Sequence, residues 1–306
     1  MIKISTPLFW KKKFHLLTII FLPLSIIYFF LILLNRLNNI FSKKISIKII
    51  CVGNLYVGGT GKTPLVKKIF NDLKKNKKIC VIKKYRKNHR DEINLLKKDT
   101  VLFVVKKRID GLRKAVKKKF NTAIIDDGMQ DYSFNKDFPI LCIKSKHAFG
   151  NGNILPAGPL REPLSSIKNY KIAVINGKKN NKINIILKKY NPNIKIFYSN
   201  YYIKNLNELK NKKFLAFSGI ADNESFFNIL KKNNIEIVET KCFNDHHDFT
   251  DEDMQNLIKK SQKKNIKLVT TDKNYNNLNS KFKKKIFYTK IDLEISNYSE
   301  LLNEIN

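Results

Sequence analysis

The run Gly58-Gly59-Thr60-Gly61-Lys62-Thr63 constrains the fold more than any other stretch, because of what stands on either side of it. Residues 45–52 before it form a short apolar run rich in Ile, and residues 65–73 after it carry apolar side chains at helical spacing. A strand, a glycine turn and a helix in that order make a phosphate-binding loop. Consecutive backbone N–H groups curl around phosphate oxygens, and the helix N-terminus adds positive potential. In such a loop Lys62 reaches the β- and γ-phosphates of a nucleotide, and the Thr63 hydroxyl ligates Mg²⁺. The strict G-x-x-x-x-G-K-[ST] spacing fails at its first position, where Tyr56 stands.

The same rhythm extends along the chain. Short apolar runs at 79–82, 101–105, 123–125, 140–143 and 172–175 alternate with Lys-rich stretches of helical spacing such as 112–120. Apolar strands alternating with helices imply a parallel sheet covered on both faces. Beyond a Lys/Asn-rich stretch at 178–182 the pattern resumes, with strands expected at 214–217, 235–238 and 267–270 and helices near 224–231 and 251–260. The expected fold class is α/β: a P-loop NTPase-like parallel sheet domain, a second, smaller α/β domain and an N-terminal hydrophobic membrane helix. The expected boundaries are 1–40, 41–177 and 178–306.

The helix is expected from residues 14–34, FHLLTIIFLPLSIIYFFLILL, which carry no formal charge at neutral pH. That is about the 20 residues needed to cross the hydrocarbon core. Lys11, Lys12 and Lys13 precede it; Arg36, Lys43 and Lys44 follow. Pro23 near its middle and positive charge at both ends leave two readings, a single span or a bent anchor in one leaflet.

Charge alone chooses no partner. Lys and Arg number 60 against 25 Asp and Glu, a formal net charge of +35, and the lysines are scattered. Nucleic acid and an anionic membrane both attract such a chain. Clustered Arg with stacking aromatics and a guanine-type N-K-x-D motif are not visible, so a nucleic-acid partner is not expected. Four Cys without a C-x-x-C spacing read as buried thiols of a reducing compartment.

Several further residues bear chemistry. Asp126-Asp127 ends the apolar run 122–125, where a P-loop enzyme holds its metal. Asp91-Glu92 sits in a Lys/Arg-rich segment and reads, by itself, as a solvated pair in a loop. Asp245-His246-His247-Asp248 offers metal ligands or an acid–base histidine, and equally a loop in which Asp248 or Thr250 caps the helix beginning at Asp251. Residues 150–163, GNGNILPAGPLREP, form a rigid irregular loop. There Arg161 is a natural clamp for phosphate and Glu162 a group able to act on metal or hydroxyl, unless the loop is a linker with a charged tip.

Taken together, VGNL running into GGTGKTP, then IIDDGMQ, GNGNILPAGPLREP, AFSGIADNESFF and DHHDFT, resemble the tetraacyldisaccharide 4'-kinase family of lipid A biosynthesis. The resemblance runs in order over almost the whole chain. It implies a P-loop kinase at the cytoplasmic face of the inner membrane, needing ATP and Mg²⁺ and no protein partner. The implied reaction moves the γ-phosphate to the 4'-hydroxyl of an acylated disaccharide 1-phosphate lipid, giving lipid IVA. It implies nucleotide binding by Gly58, Gly59, Thr60, Gly61, Lys62 and Thr63, and metal binding by Thr63, Asp126 and Asp127. It also implies Asp91 as catalytic base paired with His246, and Arg161 and Glu162 near the phosphates. The family's Ser-Arg-Gly-Tyr-Gly stretch is Ile82-Lys83-Lys84-Tyr85-Arg86 here, without its glycines, and its Thr-Glu-Lys-Asp is Thr271-Asp272-Lys273-Asn274. The competing classes are a basic P-loop ATPase or GTPase acting on nucleic acid, a DHH-type metal phosphohydrolase, and a non-catalytic membrane scaffold.

Overall fold

The computed structural model describes residues 7–86, 90–220, 222–245 and 247–306, with the backbone alone at 38, 41, 90 and 91. The first elements are α1 (Leu16–Leu37), β1 (Lys48–Gly53), α2 (Lys62–Leu73), β2 (Ile79–Lys84), α3 (Arg90–Asp99), β3 (Leu102–Val105), α4 (Arg108–Lys117) and β4 (Thr122–Asp126). Next come β5 (Phe138–Lys144), β6 (Ile172–Asn176), α5 (Asn181–Tyr190), β7 (Lys195–Ile203), α6 (Leu206–Leu209), β8 (Lys213–Ser218), α7 (Asn223–Lys232) and β9 (Glu236–Cys242). The chain closes with α8 (Asp251–Lys263), β10 (Lys267–Thr271), α9 (Asp272–Asn277), α10 (Ser280–Lys283), β11 (Ile286–Thr289), β12 (Ile291–Ile295) and α11 (Tyr298–Ile305).

Two compact units result. The first comprises Met1–Tyr85, Asp99–Asn200 and Ile295–Asn306; the second comprises Arg86–Lys98 and Tyr201–Glu294. The first holds an eight-stranded sheet in the order β12-β7-β6-β5-β1-β4-β2-β3, parallel from β7 through β3. Its strands are apolar on both faces because helices cover both. Ile49 and Cys51 of β1 point to one side and Ile50 and Val52 to the other, all buried. Helix α2 inserts Leu65, Val66 and Ile69, and α4 inserts Leu112 and Ala115. Burial pushes the thiols of Cys51, Cys80 and Cys142 up to about 12, so they are inert. Cys242 is exposed.

The second unit is a four-stranded parallel sheet, β11-β10-β8-β9. Alternation along β8 serves both its faces. Phe214 and Ala216 pack with Phe226, Phe227 and Leu230 of α7, while Leu215 and Phe217 pack with Met254 and Leu257 of α8.

Three expectations are corrected here. The boundary falls at Asn200–Tyr201, not near residue 178, because the polar stretch at 178–182 opens α5. The Asn180 side chain accepts from the Lys182 N–H and caps that helix, and Ile183 and Leu187, four apart, bury its inner face. The last twelve residues, Ile295–Asn306, return to the first unit. Asp91 and Glu92 lie in the first turn of α3 and not in a loop, on an excursion of the chain that belongs to the second unit.

Helix α1 is long and apolar enough to cross a bilayer, and little of it is buried. It runs through Pro23 as one element. Its buried residues are Thr18, Ser25 and Ile32, seven apart on one stripe, whereas Leu16, Ile19, Ile26, Ile27, Phe30 and Leu34 are exposed. The stripe rests on the loop spanning 150–163. The Ser25 hydroxyl donates to the Ile154 carbonyl at 3.1 Å and accepts from the Ala157 N–H at 2.9 Å. The Tyr28 hydroxyl donates to the Arg161 carbonyl at 3.2 Å.

Candidate active site

The loop after β1 is shaped by glycine where glycine is needed. Gly58 and Gly61 have φ of 117° and 91°, in the region that side chains with a Cβ avoid. Gly61 caps α2, so the first free N–H groups of that helix face the concavity of the loop. Position 56 needs no glycine. Tyr56 is not among the residues of positive φ; its ring stacks on His147 at 5.5 Å, and its backbone bridges Leu160. Asn54 ties the rim by donating to the carbonyls of Tyr56 and Gly58.

Parallel register brings the acidic pair to this loop. Val52 of β1 lies opposite Asp126 of β4, and Asp126 lies opposite Lys83 of β2. The Thr63 hydroxyl donates to Asp126 Oδ2 at 3.2 Å, and Lys83 Nζ pairs with the same oxygen. Both members of that ion pair are buried, with 3% and 0% of their side chains exposed. Asp126 Oδ1 and Thr60 Oγ1 are buried with no hydrogen-bond partner. Orphaned oxygens of this kind beside a threonine hydroxyl fit a hard, oxygen-seeking cation. No cluster of three His, Cys, Asp or Glu side chains occurs among the described residues. That donor set suits Mg²⁺, which takes one or two carboxylates and completes its shell with water and phosphate.

Asp127 gathers the cations. Lys62 Nζ is 3.5 Å from its Oδ1, and Arg161 Nη1 donates to Oδ1 at 3.0 Å and to Oδ2 at 3.2 Å. The Arg108 guanidinium, itself buried, bonds the Asp127 carbonyl and pairs with Asp131 at 3.2 Å. Burial alone raises the Asp127 pKa, but the Lys62 and Arg161 charges outweigh it and hold the carboxyl well below its ordinary value. A depressed folded-state value stabilises the fold above the ordinary value of 3.8 and is lost as the pH falls below it. The wild-type unfolding free energy is therefore expected to fall more steeply below pH about 4 than that of Asp127→Asn. Equal acid limbs in urea titrations of the two proteins would contradict this.

Lys62, Thr63, Asp126, Asp127 and Arg161 thus converge. Glu162 is adjacent in sequence but differently employed. One carboxylate oxygen accepts from Arg36 at 3.0 Å and the other from the Tyr132 hydroxyl at 3.1 Å, with 5% of the side chain exposed. Its surroundings are those of an anchor for the loop, not of a group acting on metal or hydroxyl. His246 lies outside the described residues, as does the side chain of Asp91. In the same motif Asp245 pairs with Lys273 at 3.5 Å, and His247 Nε2 bonds Asp253 at 2.9 Å. Thr250 caps α8 with a capping box to Asp253, as the loop reading of this motif expects. Lys83, Arg108 and Arg36 escaped the sequence reading. Only the apolar run into Lys83, an odd place for a strand-internal cation, hinted at the first.

A parallel sheet with a glycine loop after one strand and a carboxylate at the tip of its neighbour defines a P-loop NTPase-like protein. The profile of the tetraacyldisaccharide-1-P 4'-kinase family matches residues 17–306. A tetraacyldisaccharide 4'-kinase of Pelagibacter ubique (strain HTCC1062) is 39% identical over 312 residues, covering 99% of this chain and 98% of that protein. One from Rickettsia akari (strain Hartford) is 33% identical over 327 residues, covering 99% and 97%. A crystal structure of LpxK from Aquifex aeolicus in complex with ATP superposes with a TM-score of 0.72 at 25% identity, over 95% of this chain and 98% of that one. The chain belongs to the tetraacyldisaccharide-1-P 4'-kinase family and is a kinase.

Proposed function

We propose that this enzyme transfers the γ-phosphate of ATP to the 4'-hydroxyl of tetraacyldisaccharide 1-phosphate, forming lipid IVA in lipid A biosynthesis. The observation that carries the reading is the convergence of Lys62, Thr63 and Arg161 on the Asp126–Asp127 pair at the strand tips. Phosphoryl transfer asks little covalent chemistry of the protein; positioning and charge neutralisation supply most of the rate. The loop N–H groups of residues 58–63 hold the phosphates. Lys62 and Arg161, both paired with Asp127, supply the positive charge for the phosphate oxygens. Thr63 and Asp126 would hold Mg²⁺, which when bound would neutralise negative charge on the nucleotide phosphates. Asp91 takes the proton of the sugar hydroxyl, oriented by His246, a role resting on the family's motifs. Glu162, through Arg36 and Tyr132, fixes the loop that presents Arg161.

The exposed apolar sides of α1 enter a membrane, and the exposed lysines at 11–13 and 43–44 meet its anionic headgroups. The stripe that binds α1 to the loop favours a helix lying in one leaflet over a separate span; placing that leaflet at the cytoplasmic face of the inner membrane rests on the family resemblance.

Incubation with ATP, Mg²⁺ and the disaccharide acceptor in detergent micelles tests the assignment. Phosphorylated lipid, formed without added nucleic acid, is the expected product. Acceptor-independent or nucleic-acid-stimulated ATP hydrolysis, with no phosphorylated lipid, would overturn it.

A further inference from the structure

Lys83 has no place in the transfer chemistry above, yet it is a cation sunk beside the carboxylate assigned to the metal. Its ammonium occupies Asp126 Oδ2, which also accepts from Thr63, and it leaves Oδ1 bare. The β2–β4 register fixes this placement, since the two residues are lateral neighbours on parallel strands. A lone aspartate beside a threonine hydroxyl attracts a divalent cation. A buried ammonium on the same aspartate takes up part of its negative charge and repels a second cation at short range. Only a ligand that brings negative charge of its own, as nucleotide phosphates do, restores the attraction.

We propose that Lys83 is a positioning residue that keeps the Asp126 site closed to divalent cations until nucleotide phosphates arrive, so that metal binds with nucleotide and not ahead of it. This rests on the assignment of Thr63 and Asp126 as the metal site. Lys83 also fixes the carboxylate, presenting Oδ1 to the incoming shell while Oδ2 stays with Thr63.

Mn²⁺ binding followed by electron paramagnetic resonance on the full-length protein in detergent tests it, with and without ATP. Wild type is expected to take up little Mn²⁺ alone and to bind it when ATP is added. Lys83→Gln should bind Mn²⁺ without ATP roughly tenfold more tightly or better, Lys83→Arg should behave as wild type, and Lys83→Gln with Asp126→Asn should lose the gain. If Lys83→Gln is unfolded in metal-free buffer, folding restored by Mn²⁺ alone supports the proposal, and no rescue counts against it. Wild type binding Mn²⁺ alone as tightly as Lys83→Gln, or a gain that survives Asp126→Asn, overturns it. An Mn²⁺·ATP affinity indifferent to Asp126→Asn in the wild-type background would instead sink the metal-site assignment. An Asp126-dependent affinity with no gain from Lys83→Gln defeats the Lys83 proposal alone.

Discussion

Lys62→Ala is expected to lower phosphoryl transfer by at least about a thousandfold while leaving the protein folded. Lys62 is the cation of the loop, 13% exposed, on the first turn of α2. A charge aimed at the transferring group acts in a site with little water, where it is worth far more than at a surface. The fold survives because Asp127 keeps Arg161 at 3.0 Å and its carbonyl keeps Arg108, so truncation strands no buried carboxylate. Initial rates at saturating acceptor, with near-ultraviolet circular dichroism as the folding control, check both halves. Transfer within tenfold of wild type would remove Lys62 from the reaction.

Asp91→Ala is expected to lower turnover by about 10²–10⁴-fold, the range for loss of a positioned general base. It should leave ATP affinity close to wild type, since the phosphate contacts proposed above belong to the loop at 58–63 and to Arg161. Asp91 stands in the first turn of α3. Separate measurement of ATP dissociation constant and turnover distinguishes this from a fold defect. Near-normal turnover by purified Asp91→Ala would remove it from catalysis.

How much of this could be read from the chain depends on the distance over which each feature is encoded. The loop at 58–63 is local: glycines, lysine and threonine stand within one turn, between a strand and a helix that their own periodicity reveals. Asp126-Asp127 was legible for the same reason, at the end of a short apolar run. Lys83 was not. Its partner is 43 residues away, and the pairing exists only because β2 lies beside β4 in the sheet order. Arg36 reads as a charge flanking an apolar helix, but its partner Glu162 is 126 residues on. Strand β7 escaped notice because its burial is uneven from Lys195 to Ile203, without the unbroken apolar run that marks β1 and β4. The departure at Tyr56 was visible as a mismatch, but its harmlessness was not, since that depends on the stacked His147 and the backbone bridge to Leu160.

The stripe on α1 bears on how the enzyme is handled at the bench. Clipping the N-terminus is an obvious route to a detergent-free sample, but here it would strip the cover from the loop that carries Arg161. The Ile154 and Arg161 carbonyls and the Ala157 N–H would lose their Ser25 and Tyr28 partners, and Glu162 would be left facing Tyr132 without its guanidinium. A water-soluble version should keep the whole helix and recolour its lipid side instead. Ile19, Ile26, Phe30 and Leu34 would become polar, with Thr18, Ser25, Tyr28 and Arg36 untouched.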